Sequence, residues 1–138
     1  MISKYGEEFM PRRATKGSCG YDFKIPYDVT IQPGQTVIVD SGIQLEDGDL
    51  DEGYYLELVV RSSLGIKRAL TLANTVGIID SDYRDTIKIA LTTTRDAPII
   101  INCGERVMQG IIHKYYLFPN EIKPEADRSG GIGSTGRM

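Results

Sequence analysis

Residues 54–61 read Tyr-Tyr-Leu-Glu-Leu-Val-Val-Arg, and no other stretch constrains the fold as tightly. Tyr54, Leu56, Leu58 and Val60 fall on one side of an extended chain, with Tyr55, Glu57, Val59 and Arg61 on the other. This is the period of a strand, in which successive side chains point to opposite faces. Further strands are expected at 23–25, at 36–39 after the Gln32-Pro33-Gly34-Gln35 turn, and at 87–91, 99–101 and 107–117. Helical periodicity is nearly absent, save for one short turn of helix at 62–67 that a serine would cap. Short strands punctuated by Gly, Pro and Asp turns predict an all-β, jelly-roll-like barrel or sandwich.

A chain of 138 residues suffices for one domain with its own core, and neither an internal repeat nor a linker divides it. The expected division is a β-domain over 1–118 with a C-terminal arm over 119–138. The arm carries four glycines within residues 130–136, which cannot pack a core and cost entropy to order. Such an end is either a disordered terminus or a mobile arm that closes on phosphates, and the flanking Arg128 and Arg137 favour the arm.

No run of about 18 apolar residues is present, so no membrane helix is expected. Residues 1–10 lack the apolar core of a signal peptide, which predicts a cytoplasmic protein. Cys19 and Cys103 have no metal spacing and are expected as small buried or half-buried thiols. His113, the single histidine, falls in a strand with no evident partner, and Lys67 and Arg68 are expected to solvate a surface turn. A net charge of −3 argues against general nucleic-acid binding.

Five polar clusters carry the candidate chemistry. Gly77-Ile-Ile-Asp-Ser-Asp-Tyr83 sets a carboxylate, Asp80, at the mouth of an apolar strand with a ring three residues on. Asn74 lies six residues before it and offers both donor and acceptor, as the edge of a pyrimidine requires. Arg61-Ser62-Ser63 joins a guanidinium and two hydroxyls to a helix start, a setting suited to an anion. Gly17-Ser-Cys-Gly-Tyr-Asp22 ends on an acid that either touches a hydrated cation or caps the turn. Gly104-Glu-Arg-Val-Met-Gln109 supplies Gln109 for a phosphate oxygen and Arg106 for an ion pair. The fifth cluster is Arg128-Ser-Gly-Gly-Ile-Gly-Ser-Thr-Gly136.

Taken in order, these clusters resemble the five motifs of the trimeric dUTP pyrophosphatase (dUTPase) family, from about residue 12 to the end of the chain. The resemblance implies a homotrimer with shared active sites that cleaves dUTP to dUMP and pyrophosphate with Mg²⁺. It implies that Asp80 is the general base for the attacking water and that Tyr83 stacks under the deoxyribose, leaving no room for a 2′-hydroxyl. Asn74 and the backbone of Gly77, Ile78, Ile79 and Lys88 would read uracil. Arg61, Ser62, Ser63 and Gln109 would hold phosphates from a neighbouring subunit. Asp22 would act through water near the metal or at the trimer centre, the metal being held mainly by the triphosphate. Arg128, Ile132, Gly133, Ser134 and Thr135 would close over the substrate.

The chain departs from the family pattern at three positions. Ile132 stands where an aromatic residue usually stacks on uracil, which predicts a raised KM, since base–aromatic stacking contributes about 1–3 kcal/mol. Asp85 replaces a usual glycine and would be tolerated even at positive φ. Gly110 replaces a larger apolar residue and is expected to loosen local packing. Two other readings compete with hydrolysis. A dCTP deaminase would need a glutamate in the strand at 87–91, which has none, and a non-catalytic dUTP-binding regulator would bind without turnover.

Overall fold

The computed structural model describes residues 1–128. Ten strands and one α-helix follow in the order β1 (Ile2–Ser3), β2 (Tyr21–Lys24), β3 (Val29–Ile31), β4 (Val37–Gln44), β5 (Tyr54–Val60), α1 (Ser62–Arg68), β6 (Leu70–Leu72), β7 (Gly77–Asp80), β8 (Thr86–Thr93), β9 (Ile99–Ile101) and β10 (Arg106–Lys114). A 3-10 turn spans Glu7–Phe9. One sheet has the order β1-β4-β8-β6, a second has β2-β10-β5-β7, and β3 pairs with β9. All pairings are antiparallel. The all-β, jelly-roll-like expectation holds. Its barrel variant does not, because the described sheets are open rather than closed on themselves.

The alternation in β5 sorts as expected at Leu56 and Leu58, which are buried between half-buried neighbours, whereas Tyr54 of the same face is exposed at the start of the strand. Phe23, Val39, Leu58, Ile87, Ile89 and Met108 join other strand residues in one apolar cluster drawn from both large sheets. Leu58 lies between two glycines, paired with Gly110 of β10 on one side and Gly77 of β7 on the other. A Cβ at Gly110 would stand 3.0 Å from both Leu56 Cδ1 and Phe23 Cε2, and one at Gly77 would stand 3.2 Å from Leu58 Cβ. Gly110 therefore tightens the core around Leu58, contrary to the expected loosening.

Several boundaries differ from expectation for identifiable reasons. Strand β4 runs on through Asp40-Ser41-Gly42 instead of stopping at 39, with a register shift there and Gly42 at φ +70°. Strand β10 stops at Lys114 rather than 117 because its partner starts at Tyr54, opposite Lys114. Helix α1 begins at Ser62, but its N-cap is Arg61 and no side chain caps it, so the expected serine cap is absent. Among the described residues no helix is long and apolar enough to cross a membrane.

Candidate active site

Asp80 ends β7 opposite Tyr55 of β5, with its carboxylate half exposed. The chain then turns, and the Tyr83 N–H donates to the Asp80 carbonyl at 3.1 Å. The Tyr83 ring is buried, and its hydroxyl donates to the Thr86 carbonyl at 3.0 Å. Burial pushes the Tyr83 hydroxyl above its usual range, so it stays a neutral donor near neutral pH. Arg84 staples the turn by donating from Nη1 to the Ser81 carbonyl at 2.8 Å and the Tyr83 carbonyl at 3.1 Å. Asp85 is exposed and is not among the left-handed non-glycine residues, which are Ala69 and Thr75. Aspartate therefore costs nothing in backbone strain there.

Arg128 closes this group. Its Nε donates to Asp82 Oδ1 at 2.8 Å, its Nη2 pairs with Asp80 Oδ2, and its guanidinium lies over the Tyr83 ring at 5.8 Å. The hydrogen bond to Asp82, with the charges of both acids, lifts Arg128 further above its ordinary value. The rest of the arm, with Ile132, Gly133, Ser134 and Thr135, lies outside the described residues.

A second group gathers where β2, β10 and β5 meet. Asp22 Oδ1 forms an ion pair with Arg61 Nε at 3.1 Å, and its Oδ2 accepts a hydrogen bond from Arg106 Nη1 at 3.1 Å. Arg61 Nη1 also donates to the Arg106 carbonyl at 3.2 Å. Gln109 pairs with Asp22 and Val59, and its side chain lies across Gly20, where a Cβ would stand 2.5 Å from Gln109 Oε1. Ser62 and Ser63 are exposed at the start of α1. A cavity of about 310 Å³ adjoins this group and is lined by Arg12, Arg13, Lys24 and Arg106 beside Asp22.

The two groups stand apart within one chain. Asp80 pairs with Tyr55, whereas Arg61 directly follows the far end of the same strand. Six residues of extended chain span about 20 Å, far more than a triphosphate. Asn74 is exposed in the connection that enters the opposite end of β7 from Asp80, so the two flank a strand rather than a hairpin. Gly77 and Ile79 are buried while Ile78 faces outward. The Lys88 side chain turns to Asp40 Oδ2 at 2.9 Å.

A family model described as dUTPase matches residues 7–136. The chain belongs to the dUTPase family. It is similar to the deoxyuridine 5′-triphosphate nucleotidohydrolase of Finegoldia magna, 37% identical over 133 residues that cover 92% of this chain and 91% of that protein. The crystal structure of dUTPase from Streptococcus mutans superposes with a TM-score of 0.75 at 31% identity, covering 83% of this chain and 92% of that one. The dUTPase of Staphylococcus bacteriophage 80alpha, solved with dUpNHpp, shares the fold with a TM-score of 0.72 at 22% identity, covering 94% and 96%. The dUTPase family makes this chain an enzyme, a hydrolase of nucleotide metabolism.

Other expectations are corrected by the structure. Both cysteines are exposed, because Cys19 lies in the loop before β2 and Cys103 in the turn before β10. His113 has a partner: its Nε2 lies 2.9 Å from Glu57 Oε2 and its ring stacks on Tyr55 at 5.3 Å. Arg68 does not simply solvate a turn, since it pairs with Glu105 at 3.0 Å. Arg84, Asp40 and Thr86 were not singled out by sequence reasoning. Each acts through a partner distant in the chain, a relation that no local motif carries.

Proposed function

We propose that this chain hydrolyses dUTP to dUMP and pyrophosphate at active sites shared between copies of a homotrimer in the cytoplasm. The observation that carries the reading is the separation of the Asp80–Tyr83 group from the Arg61–Gln109 group along β5. One small triphosphate cannot touch both within a single chain. A second copy brings the phosphate-holding side chains of one subunit to the carboxylate of another.

In this reading Asp80 takes a proton from a water whose oxygen attacks the α-phosphorus. The bond from that phosphorus to the bridging oxygen breaks, and pyrophosphate leaves with the bond's electron pair. Such chemistry depends on in-line positioning and charge neutralisation, with no covalent enzyme intermediate. Tyr83 walls the sugar, and its buried hydroxyl is already satisfied by Thr86. Asn74 and the backbone of Gly77, Ile78, Ile79 and Lys88 read uracil. Arg61, Ser62, Ser63 and Gln109 hold phosphates. Arg128 leaves Asp80 for the triphosphate, with Ile132, Gly133, Ser134 and Thr135 following it.

No three His, Cys, Asp or Glu side chains converge as metal ligands among the described residues, and each oxygen of Asp22 already faces a guanidinium, Arg61 as an ion pair and Arg106 as a hydrogen bond. The protein's own groups therefore do not fit a protein-only Mg²⁺ site, and we read Asp22 as the holder of Arg61 and Arg106. Mg²⁺ carried by the substrate would supply charge neutralisation.

The test is pyrophosphate release with Mg²⁺ from dUTP, dTTP, dCTP and UTP. Release from dUTP alone is expected, falling about 10²–10⁴-fold in Asp80→Asn, as loss of a general base predicts. Binding of dUTP without release would make the chain a nucleotide-binding regulator instead. Mixing inactive Asp80→Asn with inactive Arg61→Ala tests the sharing of sites. Mixed assemblies should recover activity, because some sites then draw an intact residue from each parent.

A further inference from the structure

Tyr83 is held from the other large sheet. Its hydroxyl donates to the carbonyl of Thr86, the first residue of β8, and Thr86 is itself buried. The Thr86 side chain does not point at Tyr83. Its Oγ1 donates to Asp40 Oδ2 at 2.9 Å, across to β4. Lys88 Nζ donates to the same Asp40 oxygen at 2.9 Å and also contacts Thr86 Oγ1. The second carboxylate oxygen accepts the Gly42 N–H at 2.9 Å, and the Asp40 N–H donates to the Tyr27 hydroxyl at 3.2 Å.

Asp40 and Lys88 are register partners, but the next recorded pair is Gln44 with Thr86. Between them β4 carries extra chain, with Gly42 in the left-handed region at φ +70°. The irregular stretch interrupts regular ladder bonding between the Asp40–Lys88 and Gln44–Thr86 pairs, directly after the carbonyl that anchors Tyr83. Asp40 replaces that bonding with a carboxylate that ties together the β4 backbone, the Thr86 hydroxyl and the Lys88 ammonium. Buried and half-buried polar groups of this kind rigidify when every member is satisfied, and here each oxygen of Asp40 has a donor.

We propose that Asp40 is a positioning residue for sugar specificity. By fixing Thr86 and Lys88 across the irregular β4–β8 pairing, it holds the carbonyl that anchors Tyr83, and so sets how strongly a 2′-hydroxyl is excluded. The proposal rests on the reading of Tyr83 as the wall beneath the deoxyribose. A wall excludes one added oxygen only if it cannot yield. Freed from its anchor, the ring shifts and the ribonucleotide enters. Asp40 touches no substrate in this scheme, so its removal acts on the ratio between sugars and less on turnover of dUTP.

The experiment compares kcat/KM for dUTP and UTP, with thermal stability measured alongside, in Asp40→Ala, Asp40→Asn, Tyr83→Phe and Tyr83→Ala. Asp40→Ala should lower the dUTP:UTP ratio by about tenfold, mainly through better use of UTP; misplacement on the ångström scale can cost about a hundredfold. Asp40→Asn keeps an acceptor oxygen and should fall between Asp40→Ala and the parent. Tyr83→Phe keeps the ring but loses the anchor, and should lower the ratio as Asp40→Ala does. The double variant Asp40→Ala with Tyr83→Phe should do no more than either alone, since both break one connection.

An unchanged ratio in Asp40→Ala, beside a collapsed ratio in Tyr83→Ala, would overturn the role of Asp40 and leave Tyr83 as the wall. A Tyr83→Ala variant with the parental ratio would instead remove the reading of Tyr83, and the proposal with it. Should Asp40→Ala fail to fold, Asp40→Asn decides by the same ratio. A drop in melting temperature alone, with discrimination intact, would make Asp40 merely structural and count against the proposal.

Discussion

Arg128 sits on Asp80, the carboxylate assigned here to water activation, while its other donor grips Asp82 at 2.8 Å. Both acids are more than half exposed, so the contact is a surface ion pair worth about 1 kcal/mol or less in stability. An incoming triphosphate offers Arg128 more negative charge than either aspartate. The guanidinium is thus ready to transfer from protein to ligand. Arg128→Ala should leave the melting temperature almost unchanged while raising KM for dUTP about ten- to a hundredfold. That range corresponds to losing a charge-assisted contact of about 1.5–3 kcal/mol. Steady-state kinetics beside a thermal melt separates the two effects.

Asp22 holds two guanidiniums with one nearly buried carboxylate. Asp22→Ala leaves Arg61 and Arg106 without their acceptor, and the cost is expected at about 1–3 kcal/mol. KM for dUTP should rise because Arg61 is no longer aimed. The Mg²⁺ concentration for half-maximal activity should stay at the parental value. A shift in that Mg²⁺ midpoint would return Asp22 to the neighbourhood of the metal.

Two glycines of β10's surroundings should respond in opposite ways to a single methyl group. At Gly20 the nearest obstacle is the Gln109 amide oxygen at 2.5 Å, the far end of a flexible side chain, with Gln109 Cβ behind it at 3.1 Å. Gly20→Ala should therefore keep its stability and lose phosphate affinity, read as a higher KM. At Gly110 the obstacles are Leu56, Leu58 and Phe23 in the core. Gly110→Ala should lower stability by about 1–3 kcal/mol through overpacking, with kinetic constants of the surviving folded enzyme near parental values.

Acid should reach the fold through Asp40. Partial burial pushes its carboxyl upward, but hydrogen bonds from Lys88, the Gly42 N–H and Thr86, with the Lys88 charge, outweigh burial and hold it below the ordinary 3.8. A depressed carboxyl contributes stability that is complete above its unfolded value and lost as pH falls through the folded one. The contribution of Asp40 is therefore intact at pH 5 and above, and fades below about pH 4. Melts between pH 2.5 and 6 should show a shallower acid limb in Asp40→Asn than in the parent, on the order of one titrating group.

The strands that sequence reasoning located are those whose pattern is local. In β5 the alternation of Leu56 and Leu58 with Glu57 and Val59 identifies both the strand and its buried face. The strand expected at 36–39 stops short of the observed β4 because Asp40-Ser41-Gly42 is polar and breaks the apolar pattern, and only pairing with β8 shows the strand continuing irregularly. Strands β1, β3 and β6 are two or three residues long, too short to display a period, whereas the equally short β9 stands out as an unbroken run of three isoleucines. Asp80, Tyr83, Arg61 and Gln109 were each visible in a motif. Their division into two groups depends on the antiparallel register of β5 with β7 and β10, which no single stretch encodes. Asp40 escaped notice because its partners Thr86 and Lys88 lie 46 and 48 residues away.

Strand β7 belongs to one large sheet and β8 to the other, with the Tyr83 turn joining them. The turn is thus fixed from both sheets, by the Thr86 carbonyl of β8 on one side and the pairing of Asp80 with Tyr55 on the other. Long-range pairings of this kind form slowly. Enzymatic activity should therefore return after the circular-dichroism signal of β-structure, and its delay should shorten as protein concentration rises, because the proposed sites form only between copies.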